Sequence, residues 1–209
     1  ENVKAKVSWA GNRLTLQSAE GWHGNTKLTI NGTGARDAAY VEIPHSPTNP
    51  WRAHFDDMHV ARLVADEQLR QALPEVQRDI LDAATPSGEV DLQLALDMKG
   101  LSDPPGWFTA HWRSTTTLRG NDLSAGLRYE NVTGQIEVVN GVWYGDRVSI
   151  EGFVNVKEMT ALGFPFTDVH GPFRIEGTDV YVGSPQWVNS PVEYSRTTPY
   201  ANQQLIGTT

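Results

Sequence analysis

The sequence predicts a mainly β chain: an antiparallel meander of about ten strands with one short kinked helical insert. Three observations carry that expectation. Apolar and polar residues alternate with period two through most of the chain. One stretch, 66–84, switches to the 3.6 spacing of an amphipathic helix. One hairpin unit occurs twice, over 14–32 and 136–152, with a partial third start over 173–183. Residues 1–183 read as a single β-rich domain and 184–209 as an irregular C-terminal tail, where alternation stops and Asn, Ser, Thr and Pro accumulate.

In chain order, Val3, Ala5, Val7 and Trp9 alternate with Asn2, Lys4, Lys6 and Ser8 in a first strand. The earlier hairpin runs from Leu14 and Leu16 through Trp22 and Gly24 to Leu28, Ile30 and Gly32. The later runs from Ile136 through Trp143 and Gly145 to Val148, Ile150 and Gly152. Turns favour Gly and Asn in any hairpin, so the shared Trp and closing Gly are what mark a repeat. The copies differ by one residue between their glycines, which predicts a bulge near Asn25 or Thr26.

A strand follows over 39–43. Over 51–60 the apolar phase slips from Trp51, Ala53 and Phe55 to Met58 and Val60, which predicts a bulge near Asp56 and Asp57. In the helical insert, Leu69, Ala72, Leu73, Val76, Ile80 and Ala83 share a stripe expected to pack on the sheet. Asp66 is its N-cap candidate, Pro74 splits or kinks it, and Pro86-Ser87-Gly88 stops it. Over 90–98, Val90, Leu92, Leu94, Leu96 and Met98 face one way. Over 107–118, Phe108, Ala110 and Trp112 share a face, after a turn over 100–107. Further strands are expected over 127–130, 133–139, 146–154, 170–176 and 179–182. Each is apolar on one face only. That pattern fits either a closed sandwich or a long curved sheet with an apolar inner face.

Composition narrows the function classes. The formal charge is -8 and the pI about 5.2, with basic residues scattered, so no cationic track for nucleic acid exists. There are no cysteines, which excludes disulfides, thiolate catalysis and Cys-ligated zinc. No apolar run is long enough for a spanning helix. The first residue is Glu1, and the expectation is a piece processed or excised from something longer, with any anchor or export signal outside it.

No sequence signature of catalysis appears: no G-x-S-x-G elbow, P-loop or HExxH is present. His54 and His59 near Asp56 and Asp57 are expected on a solvated strand face rather than around a metal. Glu151 and Glu176 close equivalent strands and read as wet-face charges rather than a glycosidase pair. Among seven tryptophans, Trp9, Trp51 and Trp112 fall on apolar strand faces, while Trp22 and Trp143 sit at hairpin turns. The chain is expected to be no enzyme and to need neither metal nor cofactor.

Several runs resemble a known family. Leu63-x-x-Asp66-x-x-Leu69 ends a strand, Leu73-Pro74 falls in the helix, and Pro86-x-Gly88-x-Val90-Asp91-Leu92 opens the next strand. This pattern is similar to the AsmA-like and TamB-like envelope proteins of Gram-negative-type bacteria, most sharply their planctomycete members. The starts Thr133-Gly134-Gln135-Ile136 and His170-Gly171-Pro172-Phe173 fit the same meander. The resemblance covers about residues 14–183. It implies a β-taco, a groove-like sheet whose apolar interior holds or conducts acyl chains between membranes.

The resulting expectation is a non-enzymatic segment of an envelope-biogenesis, lipid-transport protein. It would be periplasmic or in the cell envelope, and membrane-associated through segments outside this chain. Its partners would be lipid acyl chains and other segments of a longer envelope protein. Leu92, Leu94, Leu96, Phe108, Trp112, Val148 and Ile150 are expected to line the lipid-binding surface. The alternative is a carbohydrate- or protein-binding structural β-sandwich module of a secreted or surface protein, which rests on the tryptophan count, the acidic charge and the polar tail.

Overall fold

The computed structural model describes residues 2–32, 38–44, 46, 49–73, 75–100, 107–145, 147–177 and 179–183. The tail expected over 184–209 and the centre of the 100–107 turn lie outside the described residues. The elements are β1 (Asn2–Ala10), β2 (Arg13–His23), β3 (Thr26–Asn31), β4 (Ala39–Glu42), β5 (Arg52–Val64), α1 (Glu67–Ala72), α2 (Glu75–Ala84), β6 (Glu89–Gly100), β7 (Phe108–Ala125), β8 (Leu127–Tyr144), β9 (Arg147–Ala161), β10 (Phe164–Glu176) and β11 (Asp179–Val182). Among the described residues, all eleven strands form one curved antiparallel sheet.

Strand order follows chain order, as short hairpin connections dictate. β3 and β4 share one lane between β2 and β5: β4 pairs the first residues of β2, β3 the last. Among the described residues every strand belongs to this one sheet, and no large side chain is fully buried, as in a single layer without a second sheet stacked on it. A two-sheet sandwich is therefore not what these strands build. β1 and β11 stand at opposite ends of the order, so the sheet is open.

Bulges set the phase of the long strands. Phe55 pairs Leu96 and Met58 pairs Leu94, so one extra residue is inserted at Asp56–Asp57, where the apolar phase slips. A second extra residue falls between Val60 and Leu63. Arg62 sits there at φ 58. Its backbone N–H donates to Asp91 Oδ1 at 2.9 Å, and its guanidinium grips Glu89 at 2.8 and 2.9 Å. The Arg119 guanidinium, and after it the Arg62 N–H, hold the Asp91 carboxyl below the usual carboxylate range. A third bulge lies at Val139–Asn140 in β8.

Strands after residue 127 are longer than alternation indicates. The segments 127–130 and 133–139 are one strand, and β9 runs on to Ala161. The hairpin between β9 and β10 turns on Leu162 (φ 53) and Gly163 (φ 77), the mirror-image two-residue turn that matches sheet twist. Leucine carries no signal for positive φ, which is why this turn is invisible in the sequence.

Both repeat segments form antiparallel hairpins, closing at His23 with Thr26 and at Tyr144 with Arg147. Trp22 and Trp143 each stand one residue before the end of the strand. No bulge occurs near Asn25: register is continuous from Ser18–Asn31 to His23–Thr26. The one-residue difference instead inverts the face. Trp143 pairs Val148 and is buried, whereas Trp22 pairs Lys27, whose Nζ lies 5.2 Å from its ring.

The helical insert joins β5 to β6. The Asp66 side chain caps α1 by accepting from the Leu69 N–H at 2.8 Å. The helices break between Ala72 and Glu75, where the sequence carries Pro74. Arg78 then donates to the carbonyls of Arg70 and Leu73 at the end of α1, and Arg70 pairs Asp82 at 2.8 Å. α2 packs against β7. Buried Asn121 ties the exit of the insert to β7, donating to the Ser87 and Glu89 carbonyls at 2.7 and 3.1 Å. Leu69 and Leu73 are half-buried; the side chains of Val76 and Ile80 lie outside the described residues.

Candidate functional site

The register assigns every strand residue to a face. From β5 to β9, rows of directly paired residues run across the ladder. One row is Ala53, Met98, Ala110, Trp143 and Val148; the next is Phe55, Leu96, Trp112, Gly141 and Ile150. A third holds Met58, Leu94, Ser114, Val138 and Gly152, and a fourth Val60, Leu92, Thr116, Ile136 and Val154. No charged residue stands in these rows. Apart from the indole N–H groups of Trp112 and Trp143, their only polar side-chain groups are the hydroxyls of Ser114 and Thr116. β10 and β3 extend the rows with Phe173 and Ile175 at one end and Leu28 and Ile30 at the other.

All seven residues expected to line a lipid surface lie on this face. The structure gathers Leu96, Phe108, Trp112 and Ile150 around a buried cluster of Ala110, Trp143 and Val148. Phe108 stacks on Trp143 at 6.0 Å with 7° between the planes. Leu92 and Leu94 continue the face along β6, beside the two hydroxyl residues, and belong to neither buried cluster. A second cluster, Leu118, Val132 and Val156, closes the far end near the insert. Among the described residues no large side chain falls below 2 % exposure, as expected when one layer has nothing stacked on it.

Sequence reading missed Trp143 as a member of this face. Alternation through Ile136 and Val138 points to Asn140 and Val142, but the bulge at Val139–Asn140 hands the apolar phase to Gly141 and Trp143. It also missed Met98 and Ala110 as partners of that ring, and the glycines beneath the aromatic side chains. Trp112 lies across Gly141, Trp51 across Gly100 and Phe173 across Gly152.

The opposite face is polar. His54 has Nδ1 2.5 Å from Asp97 and Nε2 3.0 Å from Asp56, and its ring stacks on Tyr40 at 5.3 Å. The pair thus pins the β5 bulge to β6. Among the described residues no group of three or more His, Asp or Glu side chains is arranged to hold a metal ion. A shallow cavity of about 460 Å³ opens on this face between the β5 and β8 bulges, lined by Asp56, Gln93, Ala95, Arg113, Thr115 and Glu137 with their neighbours.

Glu151 and Glu176 share one partner. The Arg174 guanidinium is 4 % exposed and contacts Glu151 at 3.3 Å and Glu176 directly. The pair does stand on the polar face, half-buried around the buried Arg174 in a charge triad spanning β9 and β10. Burial pushes the Glu176 carboxyl up from its ordinary range, against the opposing pull of Arg174. The carboxylates compensate a buried cation, the arrangement such a cation requires to be tolerated. No family model, curated protein or solved structure matches the chain.

Proposed function

We propose that this chain is a non-enzymatic segment of an envelope lipid-transport protein of the AsmA-like and TamB-like kind, whose apolar sheet face holds or conducts acyl chains. The observation that carries the reading is the charge-free face running from β5 to β9 on a sheet that holds every described strand in one layer. A sheet must bury its apolar face against something, and among the described residues the short insert's main contact with the sheet is to β7. Acyl chains supply a non-directional apolar cover, worth about 0.8 kcal/mol per buried methylene, so uptake tolerates different headgroups.

Both sheet ends support a place within a longer protein. β1 is exposed throughout, with Val3, Val7 and Trp9 open to solvent, and Leu162 and Phe164 are exposed near the other edge. Exposed apolar edges of this kind accept neighbouring strands. Location in the periplasm or cell envelope belongs to the same proposal. No described helix is long and apolar enough to cross a membrane. Membrane association, on this proposal, belongs to segments outside this chain.

Native mass spectrometry of the gently purified protein tests the reading. Adducts with phospholipid masses, of mixed headgroup and lost after delipidation, are the expected result. Protein that carries no lipid and takes none up from vesicles would count against it.

A further inference from the structure

Aromatic rings on the apolar face occupy the space that glycine leaves on the neighbouring strand. A Cβ placed on Gly100 would lie 2.5 Å from Nε1 of Trp51, and one on Gly141 2.5 Å from Nε1 of Trp112. At both positions the three nearest heavy atoms all belong to that one indole. Neither glycine has a left-handed φ, so backbone conformation does not demand it. Glycine inside a strand otherwise weakens it, by roughly 0.5–1 kcal/mol relative to alanine. What these two glycines supply is room for a ring to lie down.

The consequence is a flat floor. In the row Leu96, Trp112, Gly141 and Ile150, no upright side chain interrupts the line between Leu96 and Ile150; an indole lies there instead. Trp51 does the same beside Phe108, whose ring centroid is 6.3 Å away. An unbranched hydrocarbon laid along the row touches the plate over its whole length. A methyl branch lifts the chain, and a gap of about 0.5–1 Å forfeits roughly a quarter to a half of each dispersion contact.

We infer that the ring-over-glycine seats at Trp112–Gly141 and Trp51–Gly100 select unbranched acyl chains over methyl-branched ones. The inference rests on the lipid reading above and adds the class of chain and the residues that choose it. Gly100, Gly141, Trp51 and Trp112 are the specificity residues; Leu92, Leu94 and Ile150 contribute contact without selection.

Displacement of cis-parinaric acid, a fluorescent unbranched fatty acid, by palmitate and by phytanate reads the selection directly. Wild-type protein is expected to favour palmitate by about tenfold, the equivalent of losing roughly two methylene contacts. In Gly141→Ala the new methyl lifts the indole: palmitate binding weakens about tenfold, the preference disappears, and tryptophan emission of the free protein shifts. The double variant Gly141→Ala, Trp112→Val returns room to the methyl and recovers palmitate binding. Should Gly141→Ala not fold, Trp112→Leu leaves the backbone untouched and is expected to abolish the preference alone. A shifted emission with wild-type affinity and preference overturns the selection mechanism and leaves the lipid reading standing. Wild-type protein that binds none of the three acids overturns both.

Discussion

Leu94→Glu and Ile150→Lys each abolish lipid uptake while the sheet stays folded. Both side chains are half-buried and stand in charge-free rows, Leu94 between Met58 and Ser114, Ile150 beside Gly141. With no second layer above, the new charge reaches water by leaning away from the face, so the folded state survives. An acyl chain on the same face would have to strip that charge of water, at a cost of several kcal/mol, and is rejected. Val132→Glu is the contrasting case. Val132 is 2 % exposed in the second buried cluster, so a carboxylate there has no route to water and unfolds the domain. Circular-dichroism melting beside lipid uptake separates the two. Leu94→Glu unfolding as Val132→Glu does would mean that the face is a sealed core.

Arg174→Met destabilises the protein by roughly 1–3 kcal/mol at neutral pH, below the cost of breaking a fully buried pair because the two carboxylates are only half-buried. The guanidinium is 4 % exposed, and its loss leaves Glu151 and Glu176 facing each other without a cation. The pH dependence has a definite sign. Burial already raises the Glu176 pKa, and removing Arg174 takes away the main opposing influence. A carboxylate with a folded pKa above its unfolded one binds more protons when folded. Its penalty is therefore absent below the ordinary carboxylate range and grows as pH rises through that range to the raised value. The gap in melting temperature between variant and wild type should narrow on acidification. A gap that widens at low pH, or no gap at neutral pH, would contradict the triad's role.

Much of this fold was legible because antiparallel strands with one apolar face write their phase into the sequence. The slip between Phe55 and Met58 located a bulge at Asp56–Asp57, and the change of period at 66–84 located the insert with its Asp66 cap. The apolar face was readable for the same reason: Leu92, Leu94 and Leu96 keep strict alternation, and so do Val148 and Ile150. Legibility failed where phase carried no mark. The bulge at Val139–Asn140 moves Trp143 into the core; the Asn140-Gly141 step inside the strand was the one local sign of it. The β9–β10 hairpin turns on a leucine, and the two hairpin copies differ in face because one residue separates them. The Arg174 triad was hidden for another reason: its members come from two strands and only pairing brings them together.

The central claim is that one face of this sheet meets lipid and the other meets water. Photo-crosslinking along β6 tests it residue by residue, with benzoyl-phenylalanine placed in turn at positions 91 to 97 and the protein incubated with phospholipid vesicles. Leu92, Leu94 and Leu96 occupy the apolar face; Asp91, Gln93 and Asp97 the polar one. The account predicts lipid adducts at 92, 94 and 96 and none at 91, 93 and 97. Adducts on both faces alike, or on the polar face alone, would contradict it.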